Sequence, residues 1–488
     1  MSFILAIDQG TTNTKALLVD RNAQPAYRAA APLHVLHPRP DFVEQDPNTI
    51  LSSIESVIAK CLAYSRDISA IAITNQRETV LAWDRATGVP LANAVTWQCR
   101  RATAICDRLR ANGYELLLRE RTGLGIDPLF SAAKITWLLE NISGLRTRAN
   151  AGEVCIGTVD SWLLHYLTGE HLCDHSNASR TQLLNLHSLA WDSELAAIFD
   201  IPLAPLAQLH TSSGSFGTCK RLGLQGIPIM AAVGDSHAAL AGHGCTTPGA
   251  VKATYGTGSS LMTITASPIS RPNSQLSQTI AWSTPSTVLF ALEGNISMTG
   301  SALTWLEEFL ALPNGVEELV ELANSVEDSA GVYFVPAMSG LSAPHWDTGV
   351  RGTITGLSRT STRQHLARAA LDSIAFQVRD VYEAMERESG THFTALHADG
   401  GATRNEALMQ LQADILGKPI HRSNNEDLSA LGAARLAGLS LNWWPALDTL
   451  TFPITTFTPR MPAAERNSRY AGWQHAVAQA RLATEVVS

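Results

Sequence analysis

The sequence predicts an α/β protein of two domains, and three observations carry that prediction. Strand-like apolar runs alternate with segments of helical spacing along the chain. A strand–glycine–hydroxyl–strand unit occurs at the start and again at mid-chain, which suggests a duplicated architecture. The length, 488 residues, exceeds what one ordinary core organises.

The elements follow in order. Phe3 to Ile7 is apolar at every position, as in a strand buried on both faces. Gln9-Gly10-Thr11-Thr12 is a turn, and Ala16 to Val19 returns as the second strand of a hairpin. "ISAIAITNQ" is a strand leading to a polar loop. "TVLAWDRATGVPLANAVTW" is a hairpin with a Gly-Pro-rich turn, and "RRATAICDRLRANGYELLLRE" has helical spacing. The Gly- and Thr-rich "GHGCTTPGA" (242–250) suits a junction near residue 245, giving domains 1–245 and 246–488. "GAVKATYGTGSSLMTIT" then repeats the opening design, with Tyr255-Gly256-Thr257-Gly258-Ser259-Ser260 between two strands. "SALGAARLAGL" is a helix of small residues suited to close internal packing, and "AVAQARLATEVVS" is a terminal helix.

Composition narrows the function. Net charge is −8, and no basic block or aromatic-basic interleaving stands out, so nucleic acid is not an expected partner. Asp8 interrupts the N-terminus before a signal sequence forms, and no apolar run is long enough to span a bilayer; no membrane association is expected. Seven cysteines are scattered without a CxxC pair, which points away from a disulfide framework or a zinc site and towards a reducing cytoplasm.

The opening turn looks made for phosphate although the Walker pattern is missing. Asp8 ends a buried strand; Gly10 lets the backbone approach a ligand. Thr11, Thr12, Asn13 and Thr14 offer donors, and Lys15 adds positive charge. Asp8 would hold Mg²⁺, directly or through water, because that ion prefers oxygen ligands and retains several waters. A plain hairpin turn is the competing reading, and the second Gly-Thr turn weighs against it, since two such turns can clamp one polyphosphate. Arg77-Glu78 offers a donor and an acceptor for vicinal hydroxyls, against a surface salt bridge as the simpler alternative. Trp97 offers a face to a polyol skeleton, against a core aromatic. Gly234-Asp235 stands at a strand-to-helix junction, where α/β proteins place active-site groups. Asp235 is the candidate general base; a helix N-cap is the competing role. His237 and His243, six apart, do not make a metal pair. Gly400-Gly401-Ala402 leaves room for a flat ring against the backbone, with Asn405 opening the next helix beside it.

Together these segments resemble the FGGY carbohydrate kinases, and within them the glycerol kinase branch most closely. The likeness runs through "AIDQGTTNTK", "ITNQRETVLAWD", "AVTWQCRRATA", "GTVDSWLL", "NASRTQLLNLHSLAWD", "ATYGTG", "FVPAMSGLSAPHWD", "RGTITGLSR", "DGGATRNEALMQLQADILG" and "ALGAARLAGL", almost the whole chain. The resemblance implies two actin-like (ribonuclease H-like) domains around a central cleft, with ATP mostly on the second and an acceptor alcohol mostly on the first. It implies Asp235 as general base, and Arg77, Glu78 and Trp97 as acceptor contacts. It implies Thr12 and Thr257 at the nucleotide phosphates, Gly300 beside the nucleotide, Gly401 and Asn405 at the adenosine, and Asp8 near the metal. Lys15 stands where glycerol kinases usually carry arginine, keeping the charge without the planar fork.

Three departures bear on the acceptor. Leu129 replaces a tyrosine, Ser236 a glutamine and Ser260 a phenylalanine of that branch. All three are smaller, so the expected substrate is a polyol or sugar longer than glycerol. Gly226 precedes Ile227-Pro228-Ile229 where an arginine serves fructose bisphosphate regulation, so that regulation is not expected. Ketose kinases of the xylulose or ribulose type are the nearest alternative; an actin-like ATPase without a sugar substrate is the alternative of another class. The resemblance leaves a homodimer and a homotetramer both open.

Overall fold

The computed structural model describes residues 2–269, 273–450 and 453–485. Its first large sheet comprises β1 (Phe3–Gln9), β2 (Asn13–Val19), β3 (Pro25–Pro32), β4 (Ile68–Asn75) and β5 (Ile229–Gly234). The strand order is β5-β4-β1-β2-β3. The hairpin β1–β2 is antiparallel, with Asp8 opposite Lys15, whereas β4 runs parallel to β1. The parallel pair requires a crossover, and α1 (Pro47–Tyr64) supplies it, started by Asp46 as N-cap and Pro47 in its first turn.

The second sheet is built from β6 (Ala250–Tyr255), β7 (Ser259–Thr265), β8 (Ser277–Thr284), β9 (Thr287–Ile296), β10 (Ala395–Asp399), β11 (Ile420–Ser423) and β12 (Ile454–Phe457). Its order is β8-β9-β7-β6-β10-β11-β12. The leading strand β6 again lies between its antiparallel hairpin partner β7 and a parallel strand, β10. The two sheets therefore share one design: a first strand with its hairpin on one side and two parallel crossover strands on the other. The duplication expected from the two Gly-Thr turns is present in strand order.

The apolar pattern of β1 explains its burial. Phe3, Leu5 and Ile7 face Ile50, Ile54, Val57 and Ile58 of α1. Ile4 and Ala6 face the opposite layer, which contains α2 (Asp235–Gly242) and α5 (Leu428–Ser440). Two longer helices, α3 (Arg363–Ser389) and α4 (Glu406–Leu416), cover the second sheet. Helix α5 belongs to the second half of the chain yet packs on β1, β4 and β5 of the first sheet. Small residues permit this. A Cβ on Gly432 would fall on the Ala238 carbonyl, so the backbones of α2 and α5 touch. Arg435, buried beside them, donates to the Ala241 and Gly242 carbonyls at 3.1 and 2.7 Å and so caps the end of α2.

The segment read as one helix over 100–120 is two, Thr103–Ala111 and Glu115–Thr122, broken at Asn112-Gly113-Tyr114, where Gly113 takes φ 79°. The last helix spans Ala463–Glu485, and the final residues of the expected terminal helix, 486–488, lie outside the described residues. All seven cysteines are unbridged and buried. No helix among the described residues is long and apolar enough to cross a membrane.

Candidate active site

Asp235 sits at the tip of β5 as the first residue of α2. Gly234, not Asp235, is the N-cap residue, so the carboxylate is not consumed as a cap. Its Oδ1 accepts from the Ser236 backbone N–H at 2.6 Å and lies 3.3 Å from Arg77 Nε. Burial pushes the Asp235 carboxyl above its usual range, partly offset by Arg77.

Arg77 and Glu78 are not a surface pair. Arg77 bridges Asp235 and Glu293, the latter at 2.8 Å. Glu78, 3% exposed, accepts instead from Arg180 Nε at 2.5 Å. Arg180 also lies 2.5 Å from Glu293, completing a chain that runs from half-exposed Asp235 through Arg77 to the buried Glu293, Arg180 and Glu78. Burial alone would discharge Glu293, yet Arg180 and Arg77 hold it far below the usual carboxylate range. Glu78 adopts φ 60°, a left-handed conformation uncommon outside glycine, and such strain clusters at functional sites. Arg77 Nη1 is buried without a hydrogen-bond partner, and Nε has only its 3.3 Å contact with Asp235. Unsatisfied buried donors are costly, so this arginine favours an incoming oxygen.

Trp97 is 39% exposed, with Nε1 donating to Thr11 Oγ1 at 2.9 Å. It is therefore no core aromatic; it ties its own loop to the turn that carries Thr11. Leu129 is half-buried in a loop held from beneath by buried Lys134, whose ammonium donates to the Leu129 carbonyl. Ser236 and Ser260 face each other with oxygens 3.3 Å apart; Lys252 donates to Ser236, and Ser260 donates to Glu293.

At the first turn, Gly10 N–H bonds the Asn13 carbonyl. Thr11 is occupied: its hydroxyl donates to Gln76 at 3.2 Å while receiving Trp97, and its carbonyl accepts from Gln45. Thr12 and Asn13 are exposed, and their side chains bond to one another at 3.3 Å. Lys15 pairs with Asp427 at 2.9 Å. At the second turn Thr257 is exposed, and its carbonyl accepts from the Thr299 and Ser301 N–H groups. Gly300 lies against this turn: its N–H bonds the Gly256 carbonyl, and a Cβ there would come within 2.6 Å of that oxygen.

Gly401 is exposed at the start of a short 3₁₀ turn after β10. It lines a cleft of about 840 Å³ together with Lys15, Arg28, Asp399 and Arg404. Asn405 stands apart from that lining: its side chain accepts from the Leu408 N–H as the N-cap of α4, the bland role for a polar residue at that place. His237 bonds Thr279 at 3.1 Å and His243 bonds Asp399 at 2.6 Å.

Asp8 is half-buried at the end of β1. Burial lifts its carboxyl to about 7, with Lys15 opposing and the charges of Asp235 and Asp427 adding to the lift. Such crowding of negative charge suits a divalent cation with a largely water and phosphate shell. Among the described residues no group of three His, Cys, Asp or Glu is placed to cage an ion by itself.

Sequence reasoning missed Arg180, Glu293, Lys252 and Lys134. Arg180 lies within the quoted "NASRTQLLNLHSLAWD", but its partner Glu78 is 102 positions away, and nothing local announces the pairing.

Comparisons with known proteins place the chain's family and fold. The model of the FGGY family of carbohydrate kinases, N-terminal domain, matches residues 3–242, and that of the C-terminal domain matches residues 251–441. The chain is 45% identical to "Glycerol kinase 2" of Thermotoga maritima over 489 aligned positions, covering 98% of this chain and 99% of that protein. It is 44% identical to a glycerol kinase of Stenotrophomonas maltophilia, with 98% of each covered. Among solved structures, Plasmodium falciparum glycerol kinase with ADP superposes with a TM-score of 0.91 at 31% identity, covering 98% of both chains. A ligand-bound xylulose kinase of Lactobacillus acidophilus, at 22% identity and 100% coverage of both, shares the fold with a TM-score of 0.92.

Proposed function

The chain belongs to the FGGY family of carbohydrate kinases and is an ATP-dependent kinase that phosphorylates an alcohol, and from that premise we propose how its residues divide the work. Asp235 is the general base, Arg77, Glu78 and Trp97 hold the acceptor, and the two Gly-Thr turns grip the nucleotide tail. The acceptor is a small polyol or sugar, glycerol-like in its contacts but longer, in a pocket walled by Leu129, Ser236 and Ser260.

One observation carries this reading: buried Arg77 meets the Asp235 carboxylate only through a long 3.3 Å Nε contact and keeps Nη1 without a hydrogen-bond partner. An acceptor hydroxyl bound there would receive a hydrogen bond from Arg77 and donate its own proton towards Asp235. Asp235 Oδ1 is occupied by the Ser236 N–H, which leaves Oδ2 for that proton. As the proton moves to Oδ2, the hydroxyl oxygen bonds the γ-phosphorus in line, and the bond from that phosphorus to the β,γ-bridging oxygen breaks. Little covalent help is needed from the protein; positioning and fixed charge supply the acceleration. Thr12, Asn13 and Thr257 are exposed at the turn tips, placed to donate to phosphate oxygens, and Thr11 acts by fixing its turn through Trp97. Lys15 reaches the nucleotide only by sharing with Asp427, and Asn405 shapes the adenosine end by capping α4. Gly300 keeps the second turn in register, and Gly401 leaves space for the base. Asp8 would hold Mg²⁺ through water, and when bound that ion would neutralise phosphate charge.

We place the domain junction near residue 245, between α2 and β6. The test of the reading is an ADP-coupled assay over three- to six-carbon polyols, ketoses and aldoses. A four- or five-carbon acceptor with the highest kcat/KM is expected; glycerol ahead by a wide margin would overturn the longer-acceptor assignment.

A further inference from the structure

We propose that Ser236 and Ser260 form a subsite that reads one additional hydroxyl of the acceptor, with its hydrogen-bond direction set by Lys252 and Glu293. This rests on the longer-acceptor reading above and names the chemistry that reading requires.

The argument begins with Lys252, which is fully buried on β6. Its ammonium donates to Ser236 Oγ at 2.7 Å and to Thr254 Oγ1 at 2.9 Å. Among the described residues, no carboxylate lies within ion-pair distance of it. An ammonium can only donate, so Ser236 Oγ must accept from it, and the Ser236 hydrogen is turned outward. At the other end, the Glu293 carboxylate is charged and can only accept. Ser260 therefore gives its hydrogen to Glu293 Oε1, at 3.1 Å, and keeps a lone pair facing Ser236. The two serine oxygens stand 3.3 Å apart, well beyond the 2.7–2.8 Å usual for paired hydroxyls. Their bond to each other is poor, and both serines are half-buried, not sealed.

A group bridging the two oxygens from the side must accept from Ser236 and donate to Ser260. A hydroxyl does both. A carboxylate has no proton for Ser260, an ammonium has no lone pair for Ser236, and a methyl group has neither. The subsite also adjoins the reacting group: the Ser236 N–H bonds Asp235, and Glu293 bonds Arg77. A hydroxyl read there belongs to the same molecule that Arg77 and Asp235 hold. Lys252, which acts through Ser236, is a positioning residue.

The test compares glycerol, erythritol, threitol and the deoxy analogue of erythritol lacking one terminal hydroxyl. It uses the full-length enzyme with saturating ATP and magnesium. The wild type should favour the better tetritol over the deoxy analogue by about tenfold to a hundredfold in kcat/KM, the range for one hydrogen bond in a buried polar site. Ser236→Ala and Ser260→Ala should each collapse that ratio towards one, mainly through KM for the tetritol. Lys252→Met should do the same while Lys252→Arg keeps part of the ratio; should Lys252→Met fail to fold, the two serine variants decide. Serine variants that retain the full wild-type ratio would overturn the subsite while leaving the longer-acceptor reading intact. A wild type that prefers glycerol to every longer polyol would overturn both.

Discussion

Asp235 and Asp427 occupy matching places in the two sheets and are put to opposite uses. Each follows the fifth strand of its sheet's shared design, β5 or β11, and stands at the start of α2 or α5. Asp235 has one arginine at 3.3 Å, a backbone N–H, and an oxygen left over. Asp427 is gripped by Arg28 at 2.6 Å and Lys15 at 2.9 Å. Burial acts to raise both carboxyls. It wins at Asp235, while Arg28 and Lys15 overcome it and hold Asp427 below its usual range. The lesson is that topology supplies the position and the neighbouring cations decide the chemistry: a loosely paired acid can take a proton, a saturated one cannot.

The largest expected effect is also the sharpest test of this contrast. Asp235→Asn should cut kcat by about 10²–10⁴-fold, the usual range for a general base, with ATP binding retained. Asp427→Asn should cost less than about tenfold in kcat. Equal losses in a steady-state assay would erase the distinction. Next in size, Arg77→Met removes the guanidinium beside Asp235 and should lower kcat/KM for the acceptor by about 10²-fold, chiefly through KM; a change confined to the KM of ATP would place Arg77 elsewhere. Gly300→Ala should displace the second turn and raise the KM for ATP by about tenfold, leaving acceptor KM nearly unchanged in the same assay.

The smallest effects concern pH. An acid raised in the folded state destabilises it as pH rises through its folded value; a lowered one contributes stability that is lost as pH falls. Asp235→Asn should therefore melt higher than wild type at pH 7 to 8 and converge with it in acid. Asp427→Asn should melt lower at pH 7, by an amount reflecting about 1–3 kcal/mol for charge-assisted bonds, and should also converge in acid. Melting curves of both variants across pH that run parallel to wild type would break the comparison.

Much of the frame was legible because its signals are local. Five consecutive apolar residues announced β1, and two Gly-Thr turns between strands announced the duplication. Asp235 at a strand tip was legible for the same reason. The partners were not. Glu293 reaches Arg77 and Arg180 only once the second sheet meets the first half of the chain, and no window of sequence contains all three. Lys252 reads locally as one polar residue in an apolar strand. Its burial against Ser236 depends on how α2 meets the second sheet. Lys15 shows the limit from the other side. Its charge pointed to phosphate, but Asp427, more than four hundred positions away, already claims it. Asn405 caps α4 through its side-chain oxygen, a role that adjacency to the glycine turn alone does not announce.

The contact of Gly432 with the Ala238 carbonyl has a mechanical consequence. Where two helices meet backbone to backbone, neither can slide lengthwise without first lifting away from its partner, but each can roll. That crossing lies one turn from Asp235, so it sets how closely the second half of the chain can approach the first sheet there. An added methyl group at Gly432 would force the two backbones apart.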